Sequence, residues 1–302
     1  LNKGLSQSYL VEDKMAMLTL AEILAPSVNK GWGVGAYDTA NLATTYGILD
    51  AAEADKAPVI IMIYPAMISP EYYRTFAAFI KEEVKRRGVT ASLILDHGPS
   101  LVEVEAALDA GFTGVMIDAS SLPFDENVAL SKKVVDMAHK VGVSVEAELG
   151  HVGLGTDVLP EDRRKELYTR IEDAKLFVEK TGVDALAVAI GTAHGVYKFE
   201  PHLDFERLAA IRKEIDIPLV LHGSSGTPED QLVKAVSLGI NKINVYSDIR
   251  VEVLKEVKPL MDTPIDSLDI SNIDAATRNA AKKIVQTKNH LFGSVGKSNL
   301  YH

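Results

Sequence analysis

Short runs dominated by Val, Ile, Leu and Ala recur along the chain every few dozen residues: Gly33–Asp38, Pro58–Tyr64, Ala91–His97, Gly114–Ala119, Val143–Gly150, Ala185–Gly191, Pro218–Gly223 and Lys242–Ser247. Their length suits strands, and their continuous apolar character suits strands covered on both faces. Between them lie stretches with helical periodicity, Asn41–Ala54, Tyr72–Arg87, Leu101–Ala110, Glu126–Lys140, Tyr168–Lys180, Phe205–Glu214 and Pro228–Leu238. Each is long enough to cross over between parallel strands. Eight such units predict an α/β protein whose sheet closes into a TIM (β/α)8 barrel, with an open, doubly wound sheet as the architectural alternative. Helical patterns at Asp13–Leu24 and Ala275–Leu291 predict extra N- and C-terminal helices. With no linker in view, residues 1–302 read as a single domain.

Composition narrows the chemistry. Hydrophobic residues make up 47% and charged residues 25%, and no apolar run approaches the ~18 residues of a membrane span. Leu1–Asp13 shows no secretory pattern, so a soluble, cytoplasmic protein is expected, with no membrane partner. The absence of cysteine removes thiolate catalysis and thiolate metal sites, leaving His, Asp and Glu as the ordinary metal ligands. A net charge of −10 disfavours nucleic acid as a partner. It does not disfavour a small phosphorylated ligand, which needs only a local nest of N–H groups.

Polar residues gather where the apolar runs end: Asp38, Asp96, His97, Asp118, Glu148, Asn244 and Ser247, with His194 and His222 at two further ends. In a barrel these ends converge on one rim, where barrel enzymes place their active sites. Three histidines from three strands, His97, His194 and His222, suit a catalytic zinc with an open fourth position. His139, His202, His290 and His302 read as surface or structural, whereas His151, just past the fifth run, is open between a surface and a site residue. Glycines beside two of the histidines, in Gly191-Thr192-Ala193-His194-Gly195 and His222-Gly223-Ser224-Ser225-Gly226, let backbone amides approach an anion. Lys198 stands four residues past His194 and adds a charge for phosphate.

Five stretches carry a resemblance: Leu95-Asp96-His97, Val145-Glu146-Ala147-Glu148-Leu149-Gly150, Gly191 to Lys198, Leu221-His222-Gly223-Ser224-Ser225-Gly226 and Leu291-Phe292-Gly293-Ser294. Together they resemble the class II, metal-dependent ketose-bisphosphate aldolases, which include the fructose- and tagatose-bisphosphate enzymes. The resemblance implies reversible cleavage of a phosphorylated ketose to dihydroxyacetone phosphate and an aldehyde. It makes His97, His194 and His222 the zinc ligands, Asp96 the acid/base at the aldehyde oxygen, Glu148 a neighbour of the metal and Asn244 a contact of the enediolate. Gly195, Lys198, Gly223, Ser225 and Ser247 match positions around the phosphate, with a monovalent cation nearby, and a homodimer or homotetramer is implied.

Several positions depart from that pattern. Asp38 stands where relatives carry Asn, Tyr64 where they carry Ser, and Ser271 where an Arg is expected to hold a second phosphate. All three belong to the aldehyde side, so an aldehyde other than glyceraldehyde 3-phosphate is expected; an ordinary fructose- or tagatose-1,6-bisphosphate aldolase is the alternative. Thr156 falls where relatives have a Glu that moves a proton to the enediolate, with Asp157, Glu161 and Asp162 as nearby substitutes. A metal-dependent sugar-phosphate isomerase or epimerase on the same barrel is the reading from another reaction class.

Overall fold

In the computed structural model, which describes residues 17–153, 155, 163, 165–195, 197 and 201–301, the eight apolar runs are the strands of one closed barrel, paired in sequence order. They are β1 Val34–Asp38, β2 Val59–Ile63, β3 Ala91–Gly98, β4 Gly114–Ile117, β5 Ser144–Leu149, β6 Ala185–Val188, β7 Leu219–Leu221 and β8 Ile240–Val245. All pairings are parallel, and β8 closes on β1 with Val34 opposite Lys242 and Tyr37 opposite Val245. This is the TIM barrel, and the open sheet is set aside.

Successive strand residues alternate between the barrel interior and the helical coat. Val34, Ala36, Ile60, Met62, Ile94, Ala185, Ala187 and Val220 pack inside with Leu20, Ile23, Leu24 and Trp32. Tyr37, Ile61, Leu95, Ala147, Leu186, Leu221 and Val245 face outward into the larger core shared with the helices. Helix Leu20–Leu24 closes the bottom: Thr19 caps it, and its Ala21 N–H donates to Ser144 Oγ at the start of β5. Of the helix expected over Asp13–Leu24, Met17–Thr19 are not helical, since Thr19 caps the helix at Leu20, and the part before Met17 lies outside the described residues.

Three elements differ from expectation. Strand β8 runs from Ile240 to Val245 instead of starting at Lys242, so Asn241 and Lys242 lie within it, fully buried. Helix Ser247–Val257 follows β8 and completes the eighth unit. The C-terminal helix begins at Ile270 instead of Ala275, because Asp269 and Asn272 form a capping box. That helix lies close against Leu42–Asp55, and a Cβ at Gly47 would stand 2.4 Å from the Arg278 carbonyl oxygen. Among the described residues, no helix is long and apolar enough to cross a membrane.

Candidate active site

Strand parity builds the rim. Ala36, Met62, Ile94 and Val220 point into the barrel, so the positions two residues on, Asp38, Tyr64, Asp96 and His222, come to its C-terminal mouth on the same side. Strict alternation would turn His97 outward. Instead His97 has a left-handed backbone, φ +45°, where the register of β3 against β4 shifts between Leu95 and Gly98. A non-glycine residue held there costs about 1–3 kcal/mol, and the twist brings Asp96 and His97 to the same cavity.

The cavity has a volume of about 770 Å³. Asp38, Tyr64, Asp96, His97, Glu148, His194, Gly195, Gly223, Ser225, Asn244 and Ser247 all line it. His222 is fully buried in the wall behind them. Lys198 and the segment with Thr156, Asp157, Glu161 and Asp162 lie outside the described residues. Ser271 is exposed in the first turn of the C-terminal helix, where its N–H donates to Asp269, and it does not line the cavity. Arg250, from the first turn after β8, does line it. Arg250 carries no strand-end signal in the sequence, because it stands in the helix that follows β8.

The three histidines converge. Their ring centroids are 4.6 to 5.8 Å apart, and one nitrogen from each lies within 4.8 Å of the others. In each ring the remaining nitrogen is taken. His97 Nδ1 meets Asp118 Oδ2 at 2.8 Å, His194 Nδ1 meets the Val152 carbonyl at 3.1 Å, and His222 Nε2 meets Glu146 Oε1 at 2.9 Å. Outer partners of this kind fix the tautomer of a metal-binding histidine. Among the described residues, His194 Nε2 and His222 Nδ1 are buried with no hydrogen-bond partner. His222 Nδ1 is also 2.9 Å from Glu148 Oε2, but without hydrogen-bond alignment. Two orphaned nitrogens on neighbouring rings fit a divalent ion held between them.

Electrostatics agree. Burial, then the nearby rings of His97 and His222, push the His194 pKa down to about 4, so it offers a neutral lone pair. Burial works in the same direction at His97 but is outweighed by Asp96, the Asp118 hydrogen bond and Glu148, which raise it to about 10. The site is thus rich in negative charge, which a divalent cation would neutralise. At Asp118, burial is overcome by the hydrogen bond and charge of His97, which hold its carboxyl well below the usual carboxylate range.

Below the rim is a buried polar layer whose connections the sequence did not reveal. Lys242 Nζ donates to Glu146 Oε1 at 3.0 Å and to Asn244 Oδ1 at 2.7 Å, and lies 2.9 Å from Glu146 Oε2. Asn244 Nδ2 donates to Asp96 Oδ1 at 3.1 Å. A continuous chain therefore runs from His222 through Glu146, Lys242 and Asn244 to Asp96. Burial opposes a charged Glu146, but Lys242 and then His222 win and lower its pKa to about 2.

The other wall is made of backbone. Gly223, at φ +63°, sits so close to the β6 loop that a Cβ would lie 2.4 Å from the Ala193 carbonyl oxygen. Tyr197 joins the two loops, its hydroxyl accepting from Ala193 N–H at 2.7 Å and donating to the Gly223 carbonyl at 2.6 Å. Ser225 Oγ accepts from Asp248 N–H at 3.2 Å, and Ser247 begins the helix after β8. Glycine backbone lining the cavity and a helix N-terminus here suit an anion.

Comparison with known proteins places the chain in a family. Residues 18–297 match the family described as fructose-bisphosphate aldolase class-II. The chain is 39% identical over 290 residues to the fructose-bisphosphate aldolase of Geobacillus stearothermophilus, covering 94% of this chain and 99% of that protein. The YdjI aldolase of Escherichia coli K12 superposes with a TM-score of 0.83 at 34% identity, covering 93% of this chain and 99% of that one. The fructose-bisphosphate aldolase of Campylobacter jejuni, at 21% identity, shares the fold with a TM-score of 0.80, covering 93% and 97%. These matches define a class II aldolase, a carbon–carbon lyase, on a TIM barrel. The chain belongs to the class II fructose-bisphosphate aldolase family, which sets aside the isomerase reading.

Proposed function

We propose that this chain is a zinc-dependent aldolase that reversibly cleaves a phosphorylated ketose to dihydroxyacetone phosphate and an aldehyde other than glyceraldehyde 3-phosphate. The carrying observation is the convergence of His97, His194 and His222, with their outer nitrogens engaged and two of the inner ones orphaned. Zinc held there would act as a Lewis acid on the ketone and hydroxyl oxygens and stabilise the enediolate left by cleavage. Glu148, beside His222 Nδ1, helps balance the ion's charge.

Asp96 takes the proton of the C4 hydroxyl during cleavage and returns it during condensation. Asn244 aims that carboxylate through one amide hydrogen and keeps its second for the enediolate oxygen. Gly195, Gly223, Ser225 and Ser247, with Lys198, hold the phosphate, so the ketose enters with C1 toward β6–β8. A monovalent cation beside these glycines, a homodimer or homotetramer and a cytoplasmic location complete the proposal.

The aldehyde end then lies against β1 and β2, at Asp38 and Tyr64. Among the described residues Asp38 Oδ1 is buried without a hydrogen-bond partner, and burial, then the charge of Asp96, raises its pKa well above the usual range. A second phosphate would put a further anion beside two carboxyl groups, whereas a hydroxylated aldehyde could give Asp38 a partner. Arg250 in the same lining supports the second reading, ordinary bisphosphate cleavage.

Dihydroxyacetone phosphate release from a panel of ketose 1-phosphates and 1,6-bisphosphates, with chelator and then with added zinc, separates the two. Chelator-sensitive release, restored by zinc and faster from monophosphates, is expected; faster bisphosphate cleavage overturns the aldehyde assignment. In the same panel, Asp38→Asn is expected to raise bisphosphate over monophosphate cleavage by about tenfold, equivalent to ~1.4 kcal/mol of discrimination. An unchanged ratio removes Asp38 from specificity.

A further inference from the structure

Breaking the bond between C3 and C4 leaves the electron pair on C3 of the enediolate, and C3 must gain a proton before dihydroxyacetone phosphate can leave. Condensation requires the reverse transfer. Asp96 is occupied with the oxygen proton, and Thr156, which has no acidic proton to offer at neutral pH, stands where the resemblance leads one to expect a carboxylic acid. We propose that His151 carries the C3 proton, an inference that rests on the aldolase reading above.

His151 lies just past β5 and lines the cavity. Its Nδ1 is 3.2 Å from Ser120 Oγ, Ser120 Oγ is 2.8 Å from Asp118 Oδ1, and Asp118 Oδ2 is 2.8 Å from His97 Nδ1. The hydroxyl has one hydrogen. Between an anionic carboxylate and an imidazole, the carboxylate is the stronger acceptor, so Ser120 donates to Asp118 and presents a lone pair to His151. His151 Nδ1 is therefore the donor, and in the neutral ring Nε2 is left as the base.

That tautomer suits both directions. As imidazolium, His151 gives the Nε2 proton to C3 after cleavage and becomes neutral; in condensation, neutral Nε2 removes a C3 proton and leaves the enediolate. The exposed ring can exchange its proton with water between turnovers, which buried Asp96 and Glu148 cannot do as freely. Asp96 approaches from β3 and His151 from the end of β5, so the two proton carriers stand on separate strands of the rim. The contact with Ser120 Oγ orients the ring, as a third group orients the base in nucleophile–base pairs.

The test follows deuterium from D2O into dihydroxyacetone phosphate, catalysed by the zinc-loaded enzyme without aldehyde. For His151→Asn, exchange and ketose turnover are both expected to fall by roughly 100-fold or more. Ketose cleavage with the enediolate trapped by hexacyanoferrate(III), which oxidises it before it needs a proton, is expected to stay within a few-fold of wild type. A merely structural role would slow trapping and exchange together, and that result overturns the proposal. So does wild-type exchange in His151→Asn, most directly if Asp157→Asn, Glu161→Gln or Asp162→Asn abolishes it instead. Failure of the wild-type enzyme to exchange deuterium at all overturns the aldolase reading beneath.

Discussion

Replacing His194 with Ala is expected to lower kcat/KM for ketose cleavage by at least about 10³-fold, with metal content falling well below one ion per chain. His194 Nε2 has no partner within the described protein, and its Nδ1 makes one hydrogen bond, to the Val152 carbonyl. Little of the fold depends on the ring, so the substitution separates metal binding from folding. Lewis-acid stabilisation of the developing enediolate supplies several kcal/mol of transition-state energy, and ~4 kcal/mol corresponds to 10³-fold in rate. Metal analysis after dialysis, beside the rate and a thermal melt, checks the prediction. A variant that keeps its metal and its rate would remove His194 from the ligand set. His139→Ala is the control: that ring pairs with Asp184 on the outside of the barrel and should change neither quantity.

Lys242→Met is expected to damage stability and activity together, and by a different route. Lys242 is fully buried, and its ammonium is shared between Glu146 and Asn244. An apolar side chain of similar length fills the space but leaves Glu146 as a buried carboxylate whose largest favourable partner is gone. Breaking a buried pair from one side typically costs about 3–5 kcal/mol, which in a protein of this size corresponds to a fall in Tm of roughly 10 °C. Activity should fall a further ~10–100-fold, as when an outer-sphere partner is lost. Asn244 would no longer be held toward Asp96, and Glu146 would no longer be held as the acceptor for His222. Adding Glu146→Gln to Lys242→Met removes the stranded charge and should recover much of the Tm while leaving activity low. If the double variant is no more stable than the single one, the buried ion pair is not what holds this layer.

These two residues mark the boundary of what sequence could show. The histidines were legible because each follows an apolar run, and eight such runs imply a closed barrel whose strand ends meet. Asp96, Glu148, Asn244 and the glycine-rich turns were legible for the same reason. Lys242 and Glu146 were visible only as letters inside or beside apolar runs. Nothing local says that two charged side chains on β5 and β8 will face each other across the barrel, since that pairing depends on closure and register.

The sequence by itself determined the alternation of strands and helices, the rim and the family motifs, because periodicity and turn chemistry are local properties of the chain. Tertiary structure alone decided that His97 turns inward through a left-handed backbone, that β8 extends back to Ile240, and that Ser271 lies away from the cavity while Arg250 lines it. It also connected His151 through Ser120 and Asp118 to His97. Each of these depends on which groups a side chain meets across the barrel, a relation set by strand register and closure and absent from any single stretch of sequence.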